Sequence, residues 1–293
     1  MNYFGFRNEQ AASYAAGIVG YLTKRPGVCL AVSGPGMTNT ISGMAEALIN
    51  KRPMIVFGGA GDSSLEGMGS FQELDQVACA KPVCKYAARP SSVQHIPIVI
   101  ERAVRMATYG TPGPCYIDLP HNLLYTKVDE ASVKYLPMVM PLPSLVLPNQ
   151  MVTSTLELLK QAKSPLVIVG KGIAYGGAHD EMRAFVDSTR IPFLATPMGK
   201  GVISDYHELS AARARSHVLQ NADVIFLCGA RLNWILHFGA PPRFRADVKI
   251  IQLDNDPLDM HTNVQSVMPL CGDAKVILAQ LNEALVTSNF SSG

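Results

Sequence analysis

Seven short apolar runs constrain the fold of this chain more than any other feature. They are Val28–Val32, Pro53–Phe57, Pro114–Leu119, Pro165–Val169, Pro192–Ala195, Asp223–Cys228 and Val248–Leu253, four to six residues each, most of them followed by a turn rich in small residues. Between them lie segments whose apolar residues recur at helical spacing, such as Ala11, Ala12, Ala15, Ala16, Val19 and Leu22 within Asn8–Thr23. Continuous apolar strands alternating with amphipathic helices predict α/β architecture, a mainly parallel sheet covered by helices on both faces. The runs are too short to span a bilayer. Hydrophobic residues at 48% and charged residues at 16% exclude disorder, and a net charge of +2 argues for neither nucleic acid nor an anionic membrane as partner.

The 293 residues suggest two domains. Proline crowds one stretch, at Pro137, Pro141, Pro143 and Pro148, without helical or strand periodicity. That is the chemistry of an extended, stiff linker. The predicted division is a first domain over residues 1–128, a linker over 129–150, a second domain over 151–287 and a frayed tail over 288–293. Both domains read as doubly wound parallel sheets, with helices expected at Thr38–Asn50, from a cap at Ser91 to Thr108, at Met151–Ala162, at Gly177–Ser188, up to Asn221 and at Asp273–Leu285. The N-terminus has no basic flank followed by a long apolar core, so no secretory leader is expected. The six cysteines form no Cys-x-x-Cys pair, and several sit inside strand-like runs, which points to buried thiols in an intracellular, reducing compartment. A soluble protein is expected.

Ligands of open parallel sheets sit beyond the carboxyl ends of strands. Three such places in the second domain carry suitable groups. Gly170-Lys171-Gly172 offers backbone amides and a point charge to a phosphate. Arg231, in Gly229-Ala230-Arg231, can pair bidentately with one. Asp254 ends a strand where a carboxylate can accept hydrogen bonds from ribose hydroxyls. Each is also satisfied by a tight turn and a solvated charge, and the full dinucleotide fingerprint fails because Tyr175 stands where its third glycine belongs. In the first domain, Glu9 falls in the first turn of a helix, where the dipole alone favours a carboxylate. Asp62 invites reading as a metal ligand, but no asparagine occurs between Lys51 and His121, so that loop is assigned a structural role. The seven histidines show no metal-ligand spacing, and Ser33 in Ser-Gly-Pro-Gly does not fit a nucleophile elbow.

In combination, the motifs resemble those of thiamine-diphosphate-dependent enzymes, most closely the 2-hydroxyacyl-CoA lyase and oxalyl-CoA decarboxylase group. The resemblance rests on Gly5-Phe6-Arg7-Asn8-Glu9-Gln10, Ser33-Gly34-Pro35-Gly36, Phe71-Gln72-Glu73-Leu74-Asp75-Gln76, Gly110-Thr111-Pro112-Gly113-Pro114, Gly170–Tyr175, Pro197-Met198-Gly199-Lys200-Gly201 and Gly229–Trp234, in family order. It implies a domain for the aminopyrimidine of the cofactor, incomplete at its start, and a central domain. A third domain, for Mg²⁺ and the diphosphate, is expected to be missing. By resemblance Glu9 is the carboxylate that shares a proton with the pyrimidine ring, with its pKa raised for the purpose. Phe71 and Gln72 face the reacting carbon, while Lys171, Arg231, Asp254 and Asp273 bind an adenosine nucleotide such as ADP, or CoA. Thr111 replaces an arginine usual in the family, which weakens the expected phosphate site.

The resemblance favours a lyase that splits 2-hydroxyacyl-CoA into an aldehyde and formyl-CoA, because Phe-Gln is lyase-like, although Leu74-Asp75-Gln76 is decarboxylase-like. A homo-oligomer is implied, since family members share sites between subunits, and relatives place the enzyme in peroxisome or cytoplasm. The alternatives are an oxalyl-CoA decarboxylase, an acetolactate-synthase-like carboligase, and a truncated, non-catalytic product that binds a nucleotide or pairs with a longer relative.

Overall fold

A computed structural model describes residues 2–287 and 290. The chain forms two compact units, Met1–Leu142 and Pro143–Gly293.

In the first unit, helix α1 (Glu9–Thr23) begins where the Asn8 carboxamide accepts from the Ala11 amide, and it ends at left-handed Lys24. Strand β1 (Gly27–Ala31) and helix α2 (Pro35–Ile49) follow, with proline at the first helical position, where its missing N–H costs nothing. Then come β2 (Met54–Ala60), α3 (Gln76–Ala80), β3 (Tyr86–Ala88), α4 (Ile96–Thr108), β4 (Pro114–Pro120) and α5 (His121–Tyr125). The strands lie in the order β1-β2-β4-β3, all parallel, with Val28 opposite Ile55 and Ile55 opposite Cys115. Met37, Met44, Ala47, Met54, Val56 and Tyr116 fill the core on one side of the sheet. Ile55, Val99, Ala103, Cys115 and Ile117 fill it on the other. β1 is an edge strand and departs from the expected burial: Cys29 and Ala31 point inward while Val28 and Leu30 are 47% and 68% exposed.

Helices α1 and α2 run parallel at close approach. A Cβ on Gly43 would lie 2.1 Å from Ser13 Oγ, and one on Gly17 would lie 3.7 Å from Ala47 Cβ. Only a residue without a side chain at position 43 lets the two helices pack this closely.

The second unit holds α6 (Asn149–Lys160), β5 (Pro165–Val169), α7 (Lys171–Gly176), α8 (His179–Thr189), β6 (Phe193–Ala195), α9 (Arg215–Asn221), β7 (Val224–Cys228), β8 (Lys249–Asp254), β9 (Ser266–Cys271) and α10 (Ala274–Thr287). Its parallel sheet has the order β6-β5-β7-β8-β9. The chain therefore winds outward in both directions from β5, and the order reverses between β5 and β7. Phe185, Phe193 and Phe226 anchor the core on one side, with Leu166, Ile225 and Phe244 on the other.

Several expectations need correction. Two strands, β3 and β9, escaped the reading because Tyr86–Ala88 is short and Pro269 interrupts the apolar pattern of Ser266–Cys271. Gly170-Lys171-Gly172 opens a one-and-a-half-turn helix, α7, so the helix expected from Gly177 begins only at His179. Ser91 is not the cap of α4; a 3₁₀ turn, Val93–His95, intervenes after Ser92. The proline-rich stretch contains one 3₁₀ turn, Glu130–Ser132, and α6 starts at Asn149, inside the span expected to be linker. The expected tail falls mostly outside the described residues; Phe290 packs against the second core.

Candidate functional site

Two groups of residues gather at carboxyl ends of strands, one in each unit. In the first, the turn after β1 is the organiser. Gly34 takes a positive φ of 60°, and its amide donates to Gln76 Oε1 at 2.6 Å. Gln76 is buried, and its amide nitrogen donates to the Gly59 carbonyl, the Tyr116 hydroxyl and Asp118 Oδ1. Asp118 is fully buried and also accepts from Arg89 Nε at 2.5 Å. Burial and the neighbouring carboxylate push the Tyr116 hydroxyl far above its ordinary pKa, so it stays a donor. This network ties the turn to β2 and β4.

Glu9 and Gln72 flank that turn. A Cβ on Gly36 would come within 3.5 Å of Glu9 Oε1 but would first meet Val32 Cγ1 at 2.4 Å, so the bare glycine is what seats Val32 beside that oxygen. The other oxygen, Oε2, accepts from Asn39 Nδ2 at 3.1 Å. The hydrogen bond from Asn39 and one from the backbone at the helix start hold the Glu9 carboxyl below the usual range, where the resemblance implied a raised value. The reason is exposure. Desolvation, which would push the pKa up, is the smallest of the three influences at this half-exposed carboxylate.

Gln72 sits at φ 52°, a left-handed conformation uncommon outside glycine. Its side-chain oxygen is buried and has no hydrogen-bond partner among the described residues. The backbone here is crowded, with Gln72 O only 2.6 Å from where a Gly34 Cβ would lie. Phe71 is 75% exposed. The loop that carries both is organised by a residue the sequence reading passed over. Glu73 accepts from the amides of Gly67, Gly69 and Ser70, which hold its pKa below the usual value. Asp62 caps the turn Ser63–Leu65 through the Ser64 amide and hydroxyl, and Ser63 pairs with Asn122. These bonds give that loop a structural account.

In the second unit, the turns after β5 and β7 meet at the point where strand order reverses, the usual ligand crevice of open parallel sheets. Gly172 N donates to Gly229 O at 2.8 Å, and a Cβ on Gly170 would lie 2.2 Å from that same oxygen. Lys171 and Arg231 are thereby brought to neighbouring turns. Lys171 Nζ stands 5.8 Å over the Tyr175 ring, giving the tyrosine at the failed fingerprint position a cation–π role. Asp254 lies at the end of β8, where burial raises its pKa to about 6. Its Oδ1 accepts from the Asp256 amide. Asp273 follows β9 next to it, the Gly272 amide donating to the Asp254 carbonyl at 3.0 Å. The Asp273 carboxylate accepts from the amides of Lys275 and Val276, which makes it the N-cap of α10. Among the described residues, no three His, Cys, Asp or Glu side chains come together as a metal site, and no helix is long and apolar enough to cross a membrane.

Two parallel-sheet units, with a carboxylate at the start of α1 and a glycine-lined crevice in the second, define a recognisable class. The sequence matches the model of the thiamine pyrophosphate enzyme N-terminal TPP binding domain over residues 1–79 and that of the thiamine pyrophosphate enzyme central domain over residues 152–281. The chain belongs to the thiamine pyrophosphate enzymes and carries these two domains. Within that family it is 49% identical to 2-hydroxyacyl-CoA lyase 1 of Mus musculus over 283 residues, covering 97% of this chain and 49% of the relative. It is 42% identical to oxalyl-CoA decarboxylase of Escherichia coli (strain K12), covering 98% and 52%. With 2-hydroxyacyl-CoA lyase of Saccharomyces cerevisiae the identity is 36%, covering 95% and 51%. The chain thus spans about half the length of the relatives it matches.

Proposed function

We propose that this chain supplies the pyrimidine-side carboxylate and the nucleotide- or CoA-binding unit of a carbon–carbon lyase that cleaves 2-hydroxyacyl-CoA to an aldehyde and formyl-CoA. The observation that carries the reading is Glu9 at the start of α1: one carboxylate oxygen, Oε2, is tied to Asn39, and the other, Oε1, lies beside Gly36 with no side-chain donor among the described residues. The donor set suits an aminopyrimidine ring, whose nitrogen can share a proton with that free oxygen. When bound, thiamine diphosphate would supply the carbon centre that attacks and then holds charge. Glu9 would hold the proton at its oxygen, and the unpartnered Gln72 amide oxygen, with Phe71, would face the substrate. Magnesium and the diphosphate would be held by residues outside these two units.

Lyase is favoured over decarboxylase on physical grounds. Asp75 caps α3 through the Ala78 amide, and Gln76 is consumed by the buried network. Asp75 and Gln76 of the decarboxylase-like Leu74-Asp75-Gln76 thus have roles in the fold, which leaves Phe71-Gln72 to discriminate substrates. In the second unit Lys171, Arg231 and Asp254 would take the phosphates and ribose of an adenosine nucleotide or of CoA. Asp273 would contribute through its position beside Asp254, because its carboxylate is engaged in capping.

The test uses this chain and a longer version extended by a family diphosphate domain. Each is given thiamine diphosphate, Mg²⁺ and 2-hydroxyacyl-CoA, oxalyl-CoA or pyruvate. Aldehyde release from 2-hydroxyacyl-CoA by the longer protein alone is the expected result. Turnover by the 293 residues by themselves would overturn the half-site reading, and preference for oxalyl-CoA or pyruvate would overturn the substrate assignment. Calorimetric titration with ADP and CoA checks the second unit; no heat with either removes the nucleotide reading.

A further inference from the structure

Helices α1 and α2 meet along rungs of constant spacing: Glu9 with Asn39, Ser13 with Gly43, and Gly17 with Ala47. Each partner lies thirty positions along, so the helices are parallel and in register, and both amino-terminal ends point toward the same carboxylate. The lower rungs are made of small residues in close contact, which sets the distance of the upper rung. Asn39 itself is exposed and contributes nothing to the core. Among the described residues, its amide nitrogen donates to Glu9 alone.

We infer that Asn39 is a positioning residue for Glu9: it fixes Oε2, leaves Oε1 beside the Gly36 backbone, and tunes the carboxylate's affinity for a proton. This rests on the reading of Glu9 as the carboxylate that faces the cofactor. The chemistry suits the task. An arginine or lysine in that position would lock Glu9 as an anion, whereas a neutral amide donor stabilises the carboxylate and still lets it take up a proton. The titratable group that faces it from β1 is Cys29, whose thiol burial holds at about 11 and hence neutral near pH 7. From α2 the facing group is Asn39, so the influences that lower the Glu9 pKa are hydrogen bonds.

The experiment follows the Glu9 side-chain carbon by NMR through a pH titration of the 293-residue chain, with Glu9→Gln identifying the resonance. Asn39→Ala is expected to move the midpoint upward. Asn39→Asp is expected to move it further, because a second carboxylate replaces the donor. In the catalytically extended protein, the acid limb of the kcat–pH profile should move upward in Asn39→Ala as well. An unchanged or lowered midpoint in either variant overturns the proposal, as does an unmoved acid limb beside a moved midpoint. The NMR measurement needs neither cofactor nor substrate. Absence of turnover in the unsubstituted protein would therefore refute the functional reading and leave the Asn39–Glu9 coupling to be decided separately.

Discussion

Replacing Gly43 by alanine tests whether the α1–α2 approach is what brings Asn39 to Glu9. The new Cβ would stand 2.1 Å from Ser13 Oγ, 2.7 Å from Ser13 Cβ and 2.9 Å from its backbone carbon. Ordinary contact begins near 3.4 Å, so the helices must part by roughly 1 Å. Rotating Ser13 does not relieve the clash. Its hydroxyl donates to the Gln10 carbonyl at 2.8 Å, and the Cβ and backbone carbon remain in place. Overpacking of this kind costs about 1–3 kcal/mol, and the backbone contact places this case near the top. Alanine gains about 1 kcal/mol over glycine inside a helix. The net loss is then roughly 2 kcal/mol, which speeds exchange of the α1 and α2 amides about thirtyfold. Hydrogen exchange with mass spectrometry reads it segment by segment. That matters because the chain's single tryptophan, Trp234, lies in the other unit and does not report on this one. Adding Ser13→Gly should restore part of the loss and show coupling in a double-mutant cycle. Slower exchange in Gly43→Ala, or strict additivity with Ser13→Gly, would refute the account.

Three further outcomes are expected. Asp254→Asn should stabilise the second unit at pH 7.5. The folded pKa is raised from 3.8 to about 6, so stability falls as pH rises through that window, by at most about 3 kcal/mol. Denaturant unfolding followed at Trp234 should show a larger gain at pH 7.5 than at pH 4, and equal gains would exclude burial as the cause. Arg89→Met leaves the buried Asp118 with Gln76 and Tyr116 as its remaining donors, at a cost of about 1.5–3 kcal/mol for the lost charge-assisted bond; combining it with Asp118→Asn should recover most of the loss in thermal unfolding. Glu73→Ala should speed amide exchange at Gly67, Gly69 and Ser70. In the unsubstituted chain the same loosening should appear only on acidification, because the folded pKa lies below the usual carboxylate value and the bonds persist until pH falls through it.

Periodicity and punctuation made the architecture legible. Apolar runs such as Pro165–Val169 and Asp223–Cys228 are buried along nearly their whole length, as strands covered on both sides must be, so their composition announces them. β3 and β9 were lost because three residues, or a proline within an edge strand, carry too little pattern to register. The candidate site turns were legible in part, since Gly170, Lys171, Gly229 and Arg231 follow recognisable strands. That the turns at Gly170 and Gly229 meet at the reversal of strand order depends on the pairing of β5 with β7, across 54 intervening residues of sequence.

What the sequence by itself determined about this protein is therefore the alternation of elements, the two-unit division and the presence of a carboxylate at the start of α1, because these follow from local propensity and hydrophobic period. Tertiary structure alone decided what that carboxylate touches and how readily it holds a proton. Asn39 lies thirty residues from Glu9, and only the side-chain-free approach at Gly43 closes the gap. It also separated roles that look alike in sequence: Glu73, Asp75 and Gln76 serve the loop, the α3 cap and the buried network, while Gln72 keeps an oxygen without a partner among the described residues. Hydrogen-bond satisfaction and desolvation are properties of the folded surroundings, and no local pattern encodes them.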